Sequence, residues 1–436
     1  MKRTINILLA ICSLAAPSLS AQETLHLSLE DCRAMALREN ENLKKADNAL
    51  QQSDIDKQNA FTAYLPTVSG SAMAIYTKDI EAGGTSILLR GTYMAGFSLQ
   101  QVIYAGGRVK AGNELAKIGT EVAREQLRKT RQEVLLEADK AYYGLIAVHQ
   151  KVKMLESYVG YISALDTSVA GSVEAEMATK ADRLRIQAKL SEIRYNLQKA
   201  QNGEELCRLY LCNVIGADFN TKIAPQDTVI PIDGLQNLND DVSLLPEIQL
   251  LQKGVAAKEK QVKQTLGEYL PSLALLGGWT YFGNMKIKGV ADYQGQQVPY
   301  TQTNNQGFWF GALSLSVPLW NWGKSWRSVK RAKIDVNNAR LDLQRNSRLL
   351  TIQARQAIQN VTSAYSLVET ASLGYEQAAE NLRIMREKYD ASLCTLTDLL
   401  DAQSQSSQAE SNLIEAKTQY RIYQSEYQKA TGTLGE

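Results

Sequence analysis

At 436 residues, 44% of them hydrophobic and 22% charged, the chain is long enough to bury a large core and too apolar to be disordered. Its 48 basic and 46 acidic residues nearly cancel, which excludes the basic excess of a nucleic-acid binder. Only two histidines are present, and neither stands in a cluster with metal-ligand spacing.

The first predicted element is a targeting signal. Lys2 and Arg3 precede an apolar core from Ile5 to Ala16, and the small residues around Ser18–Ala21 offer a cleavage site, so residues 1–21 read as a signal peptide cut after Ala21. A lipid anchor on Cys12 would need a small residue where Ile11 stands. No later run of about 18 apolar residues occurs, so no further helix is predicted to span a membrane. Cys32, Cys207, Cys212 and Cys394 lack the spacing of a disulfide framework and read as free.

The remainder is one design used twice. Residues 97–108, "FSLQQVIYAGGR", match 313–324, "LSLSVPLWNWGK", and the same offset of 216 pairs Gly107 with Gly323, Thr179 with Thr395, Asp182 with Asp398 and Gly216 with Gly432. Upstream, Tyr64-Leu65-Pro66 matches Tyr269-Leu270-Pro271. Residues 22–220 and 246–436 are therefore two structural repeats joined by a linker over 221–245. Each is predicted as helix, strand, loop, strand, very long helix, turn, helix. The second repeat's excess falls within Asn284–Gly307, a polar, Gly-containing segment predicted as a loop.

The hairpins are predicted at about 67–102 and 272–318. In the second, Leu273, Leu275, Gly277, Trp279 and Tyr281 alternate with Ser272, Ala274, Leu276, Gly278 and Thr280. Its partner sets Trp309, Gly311, Leu313, Leu315 and Val317 against Phe310, Ala312, Ser314 and Ser316. Runs of about eleven residues suit tilted membrane strands. Trp279, Tyr281 and Trp309 stand at one end, Trp320 and Trp322 at the other, with Tyr76, Tyr93 and Tyr104 in the first repeat, as interfacial aromatics would. Four strands cannot close a barrel, so several chains must share one, and spacing leaves two or three chains open. The long helix carries a lateral packing seam of Val134, Ala138, Tyr142, Leu145, Val148, Val152, Leu155, Val159 and Ile162. Its sixty or so residues amount to roughly 90 Å.

These elements, with "LSLEDCRAMALRENENLKKA", the two "YLP" strand starts, "VPLWNWGK" and "KYDASLCTLTDLLDAQSQSSQAESNLIEAKTQY", resemble the TolC-like outer-membrane efflux proteins. The resemblance implies a mainly α fold with membrane β-hairpins: a two-repeat subunit of a homotrimer, whose twelve-stranded β-barrel is continued by a long periplasmic α-helical barrel. It implies a passive duct in the outer membrane of a Gram-negative bacterium, working with a periplasmic adaptor protein and an inner-membrane transporter, in contact with outer-membrane lipid and not with nucleic acid. A type I protein-secretion duct has the same architecture, and a periplasmic coiled-coil scaffold is the alternative without a pore.

The resemblance also places residues. Asp182 and Tyr389 fall where the family carries a gating aspartate and tyrosine at the two helical turns, and Asp398 and Asp401 where two aspartates line its narrowest passage. Cys394 replaces an arginine of the gate, and Glu176 and Ser392 replace the usual turn glycines. Local roles compete with these: Asp398 suits a helix cap, and Asp401 a solvated surface. Arg327, Lys330, Arg331 and Lys333 read first as a solvated helix face, and second as facing leaflet phosphates. No catalytic residue, cofactor or metal site is predicted. "WGKS" at 322–325 has Pro318 where a phosphate-binding loop needs its first glycine.

Overall fold

Two helices of 67 residues each, α3 (Arg108–Glu174) and α6 (Lys324–Asp390), dominate the computed structural model of the chain. Residues 24–77, 80–82, 85–88, 91–227, 229–235, 238–294 and 296–435 are described, and the predicted signal segment lies outside them. The other elements are β1 (Leu25–Leu27), α1 (Leu29–Glu39), α2 (Glu41–Thr62), β2 (Thr67–Ile75), β3 (Ile80–Ala82), β4 (Thr85–Leu88), β5 (Thr92–Ala105), α4 (Lys180–Ile215), β6 (Ile223–Pro225), α5 (Pro246–Gly267), β7 (Ser272–Tyr293), β8 (Gln296–Ser316) and α7 (Leu396–Thr431). The helices α2, α3, α4 of the first repeat recur as α5, α6, α7 in the second, with paired strands after the first of each set. The chain divides into two compact units, and α3 and α6 contribute residues to both.

The first unit holds the described chain up to Ala46, with Arg128–Pro246 and Arg348–Glu436. Its packing follows the predicted seam: Val134, Ala138, Tyr142 and Leu145 join Cys32 and Ala36 of α1 and Leu211, Val214 and Ile215 of α4 in one buried cluster. A second cluster joins Ile162, Ile186, Leu382 and Leu399 from all four long helices. Gly216 and Gly432, paired by the repeat, cap the ends of α4 and α7 in the left-handed region (φ +68° and +79°). Asp139, fully buried, is held by Arg33 Nε and Nη2 and by Ser425 Oγ, each at 2.6 Å.

The segment expected to be a plain linker is strapped down instead. Its strand β6 pairs in parallel with β1, Leu25 opposite Ile223. Tyr142 donates to Asp227 (2.8 Å), Tyr420 to the Asp233 carbonyl (2.8 Å), and Arg421 to Pro231 O and Asp233 Oδ2 (2.6 Å each). Ile230 is fully buried. Cys32 and Cys212 are buried and Cys207 and Cys394 half-buried, all four as free thiols.

The second unit holds Asp47–Leu127 and Glu247–Ser347. Its helices form a row. Asn113 and Thr120 of α3 donate to carbonyls of α2 (Ala60, 2.8 Å; Ser53, 3.2 Å), Lys260 of α5 pairs with Glu114 of α3 (2.8 Å), and Arg340 of α6 pairs with Glu259 of α5 (2.6 Å). The strands form an antiparallel sheet ordered β2-β5-β7-β8, with β4 pairing the distal part of β7 and β3 pairing β4. Both edges, β2 and β8, pair on one side only among the described residues.

The predicted loop over Asn284–Gly307 is a correction. β7 runs 22 residues and β8 runs 21, paired to Tyr293 opposite Gln296 with one register shift between Phe282 and Met285. Composition misled here. Alternation continues through polar residues, and Gly289 is covered by the ring of Tyr300 directly opposite. Pro299 fits because β8 is an edge strand.

Candidate functional site

Both helical turns predicted to carry the site are built alike. At the end of α3, Met177 N–H donates to Ser172 O (2.8 Å) and Glu176 N–H to Val173 O (3.1 Å). At the end of α6, Leu393 N–H donates to Lys388 O (2.7 Å) and Ser392 N–H to Tyr389 O (2.9 Å). This pair of bonds is a helix stop that calls for a left-handed residue, normally glycine. Glu176 and Ser392 both adopt it at φ +59°. The backbone of the turn is thus kept although its usual residue is missing.

Each following helix begins with a capping box. Thr179 Oγ1 donates to Asp182 Oδ2 (2.6 Å) and accepts from Asp182 N–H (3.2 Å). Thr395 and Asp398 repeat this at 2.7 and 3.2 Å. The Thr395 hydroxyl and N–H hold the Asp398 carboxyl below its usual range, and those of Thr179 do the same for Asp182. The local capping role considered for Asp398 is therefore present, and Asp182 shares it.

Tyr389 is half-buried against the Ile162–Leu399 cluster. Burial first, and then the nearby Asp182 carboxylate, push its phenol above the ordinary tyrosine value. Asp182 and Tyr389 are thus brought together across the two turns. Cys394, at the position of the expected arginine, donates its thiol to Met385 O of the preceding helix (3.5 Å). It provides no bond between the turns.

That link comes from a residue the sequence reading passed over. Arg185 of α4 donates from Nη1 to Thr397 Oγ1 of α7 (3.1 Å), with Asp182 Oδ1 at 4.0 Å. Exposed Asp401 lies in the same cleft of about 350 Å³ between α4 and α7, lined also by Lys189 and Glu192, which pair at 3.0 Å. Arg185 and Asp401 are repeat equivalents, 216 positions apart, with opposite charge. The repeat was the signal that could have found Arg185. Asp398 and Asp401, one helical turn apart, therefore have separate surroundings: one caps its helix and the other shares a cleft with Arg185 and Lys189.

Within the sheet, the aromatic positions form a row. Trp279 lies opposite Trp309 on β8 and Phe97 on β5. Phe97 and Trp309 meet edge to face at 5.5 Å, while Tyr281 stacks with Trp279 at 6.1 Å and lies 6.2 Å from Tyr93. Tyr76 follows β2 and is exposed, Tyr104 is exposed near the other end of β5, and Trp320 and Trp322 meet edge to face at 5.9 Å beyond β8. The predicted strand faces hold: Leu273, Leu275, Trp279 and Tyr281 pair with Leu315, Leu313, Trp309 and Gly307. Among the described residues no helix is long and apolar enough to cross a membrane, and no group of acidic, histidine and cysteine side chains could hold a metal.

Known proteins share this fold. The family model described as "Outer membrane efflux protein" matches residues 33–209 and 244–433. The chain is 21% identical over 397 residues to toxin and drug export protein A of Aggregatibacter actinomycetemcomitans, covering 90% of this chain and 82% of that protein. It is 21% identical over 384 residues to outer membrane protein TolC of Vibrio cholerae, covering 86% and 84%. Among solved structures, the Campylobacter jejuni CmeC outer membrane channel superposes with a TM-score of 0.75 at 17% identity over 93% of this chain and 86% of that one. The open-state Neisseria gonorrhoeae MtrE outer membrane channel gives 0.70 at 19% identity over 93% and 88%.

Proposed function

From the premise that the chain belongs to the outer membrane efflux protein family and is an outer-membrane channel component of a tripartite efflux system, we propose that three copies share one barrel and act as a passive duct. The observation that carries this is the sheet with four main strands and two unpaired edges. Open edges cannot be left in a bilayer, and joining β8 of one copy to β2 of the next closes a ring of like contacts. Twelve strands would then enclose the lumen, with the long helices in the periplasm. The energy would come from an inner-membrane transporter reached through a periplasmic adaptor, and the duct itself would perform no chemistry.

In this reading, Asp182, Tyr389, Asp398 and Asp401 lie around the narrowest passage, with Arg185 beside them. A non-pore scaffold leaves the aromatic-bounded hairpins unexplained. Protein cargo is a second reading, favoured by the name of the toxin and drug export relative. Native mass spectrometry of detergent-extracted protein is expected to give a trimer, and planar-bilayer recordings discrete conductance. A monomer or dimer without conductance would overturn the duct.

A further inference from the structure

The passage from β8 into α6 displays a set of exposed indoles and cations. Leu319, Trp320, Trp322 and Trp326 are 88, 75, 80 and 66% exposed. Lys324, Arg327, Lys330, Arg331 and Lys333 are exposed beside them. No acidic residue occurs from Leu319 to Ile334, and none of the five cations forms an ion pair with a described residue. Arg327 donates to Trp322 O (2.8 Å), and Lys330 Nζ stands 5.0 Å above the Trp326 ring. The helix packs by its other face: Ser325, Ser328, Val329, Ala332 and Val336 recede at three- and four-residue steps, and Ser328 meets Tyr269 at 3.1 Å. The cations thus share the arc turned away from the protein.

A second observation concerns backbone. Trp322 holds φ +54°, where a bulky residue is an outlier. The equivalent residue of the first repeat is Gly106, at φ +61°, which adopts that conformation without cost. The second repeat therefore keeps an indole where the fold asks for glycine, and the ring is left almost wholly exposed. Strain of this kind persists where it serves a contact.

We propose that Trp320, Trp322 and Trp326 together with Lys330, Arg331 and Lys333 form a docking collar for the headgroups of anionic phospholipids, in the leaflet on the helical side of the bilayer. This rests on the reading of the strands as membrane-spanning. Continuity supports it, because β8 runs directly into the collar and indoles settle at headgroup depth. Charge supports it, because a basic cluster next to a membrane segment attracts anionic lipid. A second copy of the chain is the other occupant: the α2 edge it would present carries exposed Asp54 and Asp56 beside the groove of Lys57, Lys110 and Lys117, and the indoles would then meet protein and not lipid.

The test uses the full-length assembled protein in vesicles of phosphatidylcholine containing either dibrominated phosphatidylcholine or dibrominated phosphatidylglycerol, with tryptophan quenching as the readout. Wild type is expected to prefer phosphatidylglycerol by roughly tenfold, with the preference falling as salt is raised. The triple variant Lys330→Gln, Arg331→Gln, Lys333→Gln should lose it, and Lys330→Arg with Lys333→Arg should keep it. An unchanged preference in the glutamine variant, or none in wild type despite quenching by brominated phosphatidylcholine, overturns the collar. A glutamine variant that loses its oligomeric state in native mass spectrometry but keeps its lipid preference assigns the face to a second copy and also overturns it. Absence of quenching by either lipid would instead overturn the membrane reading beneath it.

Discussion

Among the described residues, Asp139 accepts hydrogen bonds from the Arg33 guanidinium and Ser425, and its side chain is fully buried between them. Asp139→Ala strips the guanidinium of its partner in a largely buried setting and is expected to cost about 3–5 kcal/mol, read as an earlier transition in chemical denaturation. At the turns, the depressed Asp398 carboxyl fixes the sign of a pH effect. A folded value below the unfolded one gives stabilisation that is present above the unfolded carboxylate value and lost as pH falls through the folded one. Hydrogen exchange around Thr395–Leu399 should therefore quicken in acid, and Asp398→Ala should show the faster exchange already at neutral pH. Arg185 and Asp401 carry opposite charges in one cleft. Arg185→Gln is expected to raise cation over anion selectivity in bilayer recordings and Asp401→Asn to lower it, whereas equal effects of one sign would remove either residue from the passage.

Among the elements, the long helices were legible because their apolar spacing is regular over many turns, and Val134, Ala138, Tyr142 and Leu145 are buried as that spacing requires. The strap over 221–245 was not, since single side chains of distant helices hold it: Tyr142, Tyr420 and Arg421 leave no local pattern in the segment they bind. The distal β7–β8 ribbon was misread for a different reason. Past the β4 pairing at Lys288 it is two strands among the described residues, with no further strand to impose apolar alternation on it there. Tolerance to insertion should accordingly be confined to its turn. An epitope at Gln296 is expected to be accepted and reached by antibody on intact cells, while the same epitope at Gln302, paired with Ile287, should reduce the amount of folded protein. Equal tolerance at both sites would return the segment to a loop.

At the scale of the whole molecule, the repeat explains why the candidate site was only half legible. Asp182 and Asp398 sit at equivalent positions and make the same cap, so one reading served for both. Arg185 and Asp401 are equivalent positions whose chemistry diverged, and a comparison looking for identity passes over such a pair. The first repeat supplies the β2 edge and the second the β8 edge, so each chain offers two unlike ends and its centre is already joined through β5 and β7.

That polarity has a genetic consequence. A ring closed head to tail fails if any one member lacks an end, whereas a member with altered charge still closes it. Prolines at both Ser69 and Gly70, adjacent residues on edge strand β2, remove an outward N–H at one of them and should leave the β8 end intact. Such a chain can still be incorporated, and it then stops the ring. Produced at equal dose with wild type, it should leave about one eighth of the channels free of the altered chain under random mixing of three. The allele would thus be dominant, with efflux falling far below half, while Arg185→Gln under the same co-expression would be tolerated. Efflux that falls only to half would mean that the blocked chain is excluded and not incorporated.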